Sequence, residues 1–319
     1  MAQFSSQGLF LIVVIGISIA LGFNDVQTGQ LGQGIDTVWS GLAFFFGWRM
    51  LPPVPAAHAL PVGKTLVGHS FLQVWHTFKK IYNTYGRSLQ LFFWAVIFAE
   101  AAANAFTVVS VVFLAEELKM SGTEIGAFFF VTLVGTIPGS KLGSMITARI
   151  GPPISWNLSM AFIMIASTIG ALVLKEGSEI IAYIWGFVIG NGLGWFYPAE
   201  NLCFSMLLPL GQEAELSGFY VYCSQILAWL PPLIFSIMVE SNIDQQYGII
   251  VVGVSFFGVA IVLVSMIRWQ AALEQVHGPE FGKYTDTRTT VEGKVKGVDL
   301  SSDLASADVA EEVDGKLGP

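Results

Sequence analysis

Long apolar segments dominate the pattern of hydrophobic and polar positions along this chain. Six of them after residue 87 are long enough to cross a bilayer, which takes about 20 residues of α-helix. These six are Leu89–Ala115, Ile125–Ala148, Ile154–Leu174, Ile180–Leu208, Leu216–Val239 and Gly248–Trp269. Two shorter apolar segments, Gly8–Phe23 and Ile35–Leu51, precede them. Because only helices and closed barrels satisfy their backbone groups in lipid, the pattern predicts an all-α integral membrane protein with eight spans.

The segment between the second and third spans has a different pattern. From Pro52 to Arg87 it is rich in proline at its start and then carries apolar residues at helical spacing, namely Phe71, Val74, Trp75, Phe78 and Ile81. This spacing predicts an amphipathic helix that lies on the cytosolic membrane surface. No apolar run recurs after Ala272, which predicts a disordered, acidic, cytosolic tail. The predicted divisions are two helices (1–51), a linker (52–87), a six-helix unit (88–269) and the tail (270–319).

The distribution of basic residues predicts the orientation. If the linker is cytosolic, thirteen of the fifteen lysines and arginines lie on the cytosolic side, and only Lys119 and Lys175 lie opposite. Cytosolic loops of membrane proteins carry such an excess. The C-terminus is therefore predicted to be cytosolic.

Composition excludes several classes of function. The chain is 54% hydrophobic and only 12% charged, whereas soluble domains are about a quarter charged, so the lipid bilayer is the expected surrounding. No basic stripe for nucleic acid is present. The four histidines lie outside the spans without metal-ligand spacing, and no nucleophile–base pair or phosphate loop is present. The sequence thus predicts no metal, no cofactor and no enzymatic activity, and it predicts that Cys203 and Cys223 are buried thiols.

Polar residues inside the third predicted span are the first candidates for a functional site. Glu100 lies near the middle of the span, and Asn104 and Thr107 follow it on the same helical face. A carboxyl group in this position is costly and is usually kept for a function. One interpretation is a proton or substrate site that faces a cavity. The other is a neutral, hydrogen-bonded glutamic acid that holds two helices together.

The sixth predicted span carries further candidates. Asn191 and Trp195 share a face one turn apart, which suits either solute contact or helix packing. Glu200 lies nearer the cytosolic end, where contact with water or with the following turn would satisfy it, and this interpretation is favoured over a site in the pathway. In an ideal helix Glu200 points away from Asn191, although Pro198 could rotate that relation.

Two glycine patterns predict close helix contacts. Glycines repeat every four residues in the fourth predicted span, with Pro138 among them, and recur in the sixth. The segment from Ser144 to Gly151, just beyond the fourth span, resembles the short loop signature of the major facilitator superfamily. Arg149 and Gly151 match the arginine and last glycine of that signature, whereas Ala148 replaces its acidic residue.

The residues around the turn after the sixth span carry a family resemblance. They are Leu208-Pro209-x-Gly211-x-Glu213-Ala214-Glu215-x-x-Gly218-x-Tyr220, followed by Trp229-Leu230-x-Pro232-Leu233. This pattern resembles the vacuolar effluxer family, the autophagy-related protein twenty-two type of major facilitator permease, over about residues 38–270. One departure concerns the substrate, because Ala199-Glu200-Asn201 stands where a polar stretch with an arginine is expected.

The resemblance implies a fold and a function. A major facilitator has twelve spans in two halves, so this chain would contain the C-terminal six-helix half and two preceding helices, without the first four. The sequence would then be incomplete at its N-terminus, pair with another chain, or be a remnant that does not transport.

The implied function is secondary transport, with efflux of amino acids from a vacuole-like compartment, linked to autophagy, and with protons as a candidate coupling ion. The alternatives are a permease for another small solute, such as a sugar or an organic anion, and a non-transporting membrane scaffold. Glu100 would be the coupling acid, and the expected pathway comprises Glu100, Asn104, Thr107, Asn191, Trp195 and Glu200. The expected cytosolic hinge comprises Arg149, Gly151, Pro209, Gly211, Glu213, Glu215 and Gly218.

Overall fold

The structure, a computed structural model, describes residues 2–51, 66–84, 86–209 and 212–277, and most of these residues are α-helical. The helices are α1 Ala2–Leu21, α2 Asp25–Met50, α3 Leu66–Thr84, α4 Gly86–Glu116, α5 Gly122–Ile150, α6 Pro152–Val173, α7 Glu179–Met206, α8 Glu213–Ile226, α9 Leu230–Glu240, α10 Gln245–Ser265 and α11 Trp269–His277. No strand occurs within these ranges. The predicted all-α class is confirmed.

Six segments of the described chain are long and apolar enough to cross a membrane. They are Arg87–Glu116, Gly122–Ile150, Pro152–Val173, Glu179–Met206, Glu213–Glu240 and Gln245–Ser265. They coincide with the six long segments predicted from the sequence. The fifth of them is interrupted and forms two helices, α8 and α9. The interruption occurs because Pro231 and Pro232 lack the backbone N–H groups that a continuous helix needs.

The two predicted N-terminal spans correspond to α1 and α2. The apolar part of α1, Ser6–Leu21, is shorter than the six long segments, and α1 packs against α5 and α2. Asn24 begins α2 with a capping box, in which its side chain accepts from the Gln27 backbone N–H and Gln27 bonds back to Asn24. Whether α1 and α2 cross the bilayer stays a prediction, as do the domain boundaries before residue 270.

The predicted tail starts later than residue 270. Residues 270–277 belong to α11, where Ala272 and Leu273 are buried and the helix packs on α4. Trp269, Ala272 and Leu273 follow the helical spacing of a buried face, so the packed structure extends beyond the last span. Residues 278–319, which make up the rest of the predicted tail, lie outside the described residues, as do 52–65 of the predicted linker.

The six long segments pack in a definite order. Pairs of neighbours run from α5 to α7, α6, α10, α4 and α8. Most of the buried side chains between them are apolar or aromatic. In this order α4 and α7, which carry the two glutamates of the predicted pathway, are not direct neighbours, but their side chains meet.

The closest helix pair is α5 with α7, and glycines allow the close approach. A Cβ atom added at Gly139 would lie 2.6 Å from the Cα of Asn191, and one added at Gly194 would lie 2.7 Å from the Cα of Thr136. These distances are far shorter than van der Waals contact, so only glycine fits without moving a helix backbone. The sequence pattern that predicted close packing therefore has its counterpart in the α5–α7 contact.

Replacement of Gly139 tests whether this contact stabilises the fold. The added methyl group of Gly139→Ala must push α5 and α7 apart, and overpacking of this kind costs about 1–3 kcal/mol. Gly258→Ala in α10 is the matched control, because a Cβ there meets no atom within 4 Å. We expect unfolding of the purified protein in mixed micelles to show a loss of stability only for Gly139→Ala. Equal stability of the two variants would contradict the requirement for close approach.

Candidate functional site

The structure brings two of the predicted pathway residues together. Glu100 lies on α4 and Glu200 on α7, and their side chains are within hydrogen-bonding reach of each other. Glu100 is 7% exposed and Glu200 is fully buried at 0%. The prediction that Glu200 reaches water or the following turn is therefore wrong. Its side chain points into the bundle, toward α4 and α8.

A tyrosine from a third helix completes the cluster. The hydroxyl group of Tyr220, on α8, donates to Oε1 of Glu200 at 2.8 Å. Oε2 of Glu200 has no N–H or hydroxyl donor within the described residues, although it is completely buried. We call Glu100, Glu200 and Tyr220 the acid cluster. It connects α4, α7 and α8 through side chains.

Sequence reasoning did not select Tyr220 as a site residue, although a signal was present. Glu200 lies six residues before the end of α7, and Tyr220 lies seven residues after the start of α8, so the two are almost equally far from the turn between these antiparallel helices. Residues equally far from such a turn lie at the same depth in the bundle, since each helix rises about 1.5 Å per residue. The positions of the two residues relative to the turn therefore indicate that they face each other.

Aromatic rings close the bundle on one side of the acid cluster. We call this group the aromatic layer, and it consists of Phe92 and Phe93 of α4, Phe204 of α7 and Phe219 of α8. The ring centroids of Phe93 and Phe219 are 4.9 Å apart, and those of Phe92 and Phe204 are 6.2 Å apart. The ring of Tyr220 stacks on Phe204 at 4.5 Å. Tyr220 thus joins the layer through its ring and the acid cluster through its hydroxyl group.

An apolar cavity lies beside the aromatic layer. It has a volume of about 820 Å³ and is bounded by α3, α4, α8 and the start of α9. Phe93 and Phe219 line both this cavity and the layer, whereas Glu100 and Glu200 do not line the cavity. Ile97, Phe98 and Cys223 line the cavity as well, so it extends along α4 and α8 past the layer.

The other two predicted pathway residues of α4, Asn104 and Thr107, are not part of the acid cluster. The side-chain amide of Asn104 donates to the backbone oxygen of Ser224 on α8, at 3.4 Å. Thr107 is exposed, because Phe106 and Val109 occupy the packed face of α4 at that level. Phe106 contacts Trp185 of α7 with ring centroids 5.5 Å apart, which closes α4 against α7 further along the bundle.

Asn191 and Trp195 face α5 and α6 and not the acid cluster. The side-chain amide of Asn191 donates within its own helix, to the backbone oxygen of Phe187 at 2.9 Å. The indole N–H of Trp195 donates to the hydroxyl group of Ser155 on α6 at 2.8 Å, and its ring lies against Gly143 of α5. The structure thus separates the predicted pathway residues of α7 into two groups.

Glu215 connects the start of α8 to the amphipathic helix α3. Its Oε1 accepts from the Thr77 hydroxyl group at 2.6 Å, and its Oε2 lies 3.2 Å from Nζ of Lys80. The sequence indicated Glu215 as part of a hinge but gave no partner for it. Thr77 and Lys80 lie on the polar side of the amphipathic helix. Their position there is the signal that could have identified them as partners of Glu215.

The other predicted hinge residues differ in their surroundings. Gly151 ends α5 with a φ of 87°, a backbone conformation that favours glycine. Pro209 is buried, and Arg149, Glu213 and Gly218 are exposed. Gly211 lies outside the described residues. Among the side chains that the structure describes, no group of three or more His, Cys, Asp or Glu residues is placed to hold a metal ion.

Comparisons with known proteins give a family and a structural likeness. A sequence model of the family described as "Vacuole effluxer Atg22 like" matches residues 1–277. A search of curated proteins finds no match. Among solved structures, the chain is similar to the major facilitator superfamily proton:xylose symporter XylE bound to 6-bromo-6-deoxy-D-glucose, with 15% sequence identity and a TM-score of 0.46. That similarity covers 62% of this chain and 50% of the other, so the chain spans about half the length of the solved structure.

The contact between Glu215 and α3 can be tested by hydrogen exchange. Glu215→Ala removes the acceptor for Thr77 and the partner of Lys80 together. Because Lys80 and Glu215 are partly exposed, with side-chain exposures of 39% and 27%, the loss should be modest, about 1 kcal/mol. We expect backbone amides of α3 to exchange about fivefold faster in this variant. Exposed Glu240→Ala serves as the control, and unchanged exchange in Glu215→Ala would mean that apolar contacts alone hold α3.

Proposed function

The chain belongs to the Atg22-like vacuole effluxer family, and from this membership we propose that it is a secondary transporter of small solutes. The finer part of the proposal is that it exports amino acids from a vacuole-like compartment to the cytosol during the recycling of autophagic material. Membership confirms the resemblance carried by the residues around Pro209 and Glu215. The matched region begins at residue 1, so it is longer than the region over which the resemblance was recognised.

One observation carries the transport proposal beyond the family. Two carboxyl groups, Glu100 and Glu200, are in contact inside two helices that are long and apolar enough to cross a membrane. A carboxyl group in such a place is costly to keep, and in membrane proteins it commonly marks an ion or solute pathway. A helix contact alone would be served as well by the apolar and glycine contacts that hold the rest of the bundle.

The proposed roles follow from where the side chains lie. Glu100 is the coupling acid, and Glu200 is its direct partner. Asn104, which bonds α8, and Thr107 line the pathway on α4, and Asn191 and Trp195 line it on α7, where they also touch α5 and α6. Protons are the proposed coupling ion.

The turn between α7 and α8 is the proposed cytosolic hinge. Of the described hinge residues, Pro209 precedes α8, Glu213, Glu215 and Gly218 lie in the first turns of α8, and Arg149 and Gly151 mark the end of α5. Glu215 ties this turn to the amphipathic helix, so a movement of α8 would move α3. We also propose that the C-terminus is cytosolic, which the excess of basic residues on one side supports. The proposed location is the vacuolar or another internal membrane, which the family's description supports.

Replacement of Glu100 tests the proposed function. Glu100→Gln keeps the shape of the side chain but cannot release a proton, so we expect transport to fall at least tenfold while the protein stays folded in the membrane. The measurement is efflux of a radiolabelled amino-acid mixture from vesicles that contain the full chain. Glu116→Gln is the matched control, because Glu116 ends the same helix at an exposed position and its Gln245 partner can also bond a glutamine.

The outcomes separate the proposed function from its alternatives. Unchanged efflux in Glu100→Gln would refute the site. Efflux of a labelled sugar or organic anion in place of amino acids would replace the solute and keep the transporter. A protein that moves none of these solutes across the vesicle membrane would contradict transport and favour a scaffold.

A further inference from the structure

We propose that the apolar cavity beside α3 holds the acyl chain of a membrane phospholipid, and that Lys79 at its opening binds the anionic headgroup. This site takes a lipid and not a transported solute, so the proposal goes beyond the proposed function and does not depend on it. Three observations support it: the dimensions and lining of the cavity, the direction of the apolar face of α3, and the charge of that helix.

The cavity begins at one end of the bundle. α3 packs against α4 and α8, and Glu215, in the first turn of α8, bonds Thr77 and Lys80 of α3. Because α4 and α8 start segments that are long and apolar enough to cross a membrane, α3 lies where such segments leave the bilayer. Along α8 and the start of α9 the lining runs from Phe219 to Leu230, which is a length of about 16 Å. The cavity therefore extends from the surface end of the bundle into its apolar interior.

The apolar face of α3 borders this cavity. Five side chains with the spacing of one helical face all line it, namely Val74, Trp75, Phe78, Ile81 and Tyr82. An amphipathic helix at a membrane surface buries such a face among acyl chains. The space in front of this face is therefore where an acyl chain is expected.

Buried side chains form the floor of the cavity, and exposed aromatic rings surround its opening. Ile81, Phe93 and Cys223 are buried, whereas Trp75 is 55% exposed and Tyr82 is 66% exposed. Tryptophan and tyrosine are enriched where a membrane meets water, because each ring has an apolar body and a polar end. The opening therefore has the side chains that are typical of the headgroup level.

The dimensions of the cavity favour a narrow occupant. Its volume of about 820 Å³, over a length of about 16 Å, gives a mean cross-section of about 50 Å². An α-helix about 10 Å across covers about 80 Å². A helix of another protein, or of a second copy of this chain, would therefore not fit along the cavity without displacing α3.

The lining favours an acyl chain over an extended peptide. Every peptide residue brings a backbone C=O group, and nearly every one an N–H group, which need hydrogen-bond partners where water is absent. Only five of the sixteen lining side chains carry a nitrogen or an oxygen atom. Four of these five are exposed tryptophans and tyrosines, so the interior of the cavity offers few partners. A hydrocarbon chain needs none.

The charge of α3 favours an anionic headgroup. The helix contains Lys79 and Lys80 and no aspartate or glutamate. Lys80 is paired with Glu215 at 3.2 Å, whereas Nζ of Lys79 lies 5.7 Å from the centre of the Trp75 ring, beside the opening of the cavity. Lysines at a membrane surface attract anionic lipids. Lys79 is therefore placed to bind the headgroup of a lipid whose acyl chain enters past Trp75.

Photocrosslinking in vesicles tests the acyl-chain site. The full chain is reconstituted in phosphatidylcholine that contains phosphatidylglycerol with a diazirine on one acyl chain, and mass spectrometry of the peptides locates the label. We expect label on the residues of α4 and α8 that line the cavity. Ile226→Trp, which fills the cavity from its edge, should lower this label at least fivefold. Val221→Trp is the matched control, because Val221 is also an exposed apolar residue of α8 but does not line the cavity.

Two results would overturn the acyl-chain site. One is even labelling of the apolar outer surface of the bundle, with no decrease in Ile226→Trp, which would show that the lipid is bound only as part of the surrounding bilayer. The other is a cavity without label in a protein whose α3 and α8 crosslink to a second copy, which would show that the second copy occupies it.

The headgroup is tested at Lys79, where a surface substitution keeps the fold even if Ile226→Trp does not. We expect phosphatidylglycerol to label the cavity at least threefold more than phosphatidylcholine with the same photoreactive chain. Lys79→Gln should abolish this preference and Lys79→Arg should keep it. Lys175→Gln, at an exposed position after α6, is the control. Equal labelling by the two lipids in the wild type, or a preference that Lys79→Gln leaves unchanged, would overturn the assignment of the headgroup to Lys79.

Discussion

Burial of two touching carboxyl groups, with no basic side chain among the described residues to balance them, is the constraint on which the packing of this bundle depends. Each group loses its hydration when the helices close, and the protein must replace that hydration with internal hydrogen bonds. The pair of Glu100 and Glu200 does so with the help of Tyr220, whose hydroxyl group comes from a third helix. The position of α8 against α4 and α7 therefore contributes to the stability of the acidic site.

Two kinds of helix contact surround this site. Glycines let α5 and α7 approach so closely that their backbones touch. The contacts of α4 with α7 and α8 are of another kind, made by large rings and by the acid cluster. Side-chain contacts of this sort can separate without the loss of a backbone fit. The boundary of α4 with α7 and α8 is thus the natural place for the bundle to open.

The sequence was a good guide to the spans and to the cost of Glu100, and a poorer guide to its partner. Apolar length and the placement of charges are local properties, so the six long helices followed from the sequence directly. The contact of Glu100 with Glu200 depends on how α4 meets α7, although other helices lie between them in the packing order. A single helix pattern does not contain that information. The position of Tyr220 opposite Glu200, which follows from the turn between α7 and α8, was the one clue to the cluster within the sequence itself.

The break between α8 and α9 has a mechanical consequence. A continuous helix across the membrane transmits rotation from one surface to the other, whereas a helix interrupted between Ile226 and Leu230 transmits little torque past the interruption. The α8 half carries Glu215 and Tyr220, and the α9 half packs on α10. A force on α3 would therefore reach the acid cluster through Glu215 and α8, and little of it would pass on to α9.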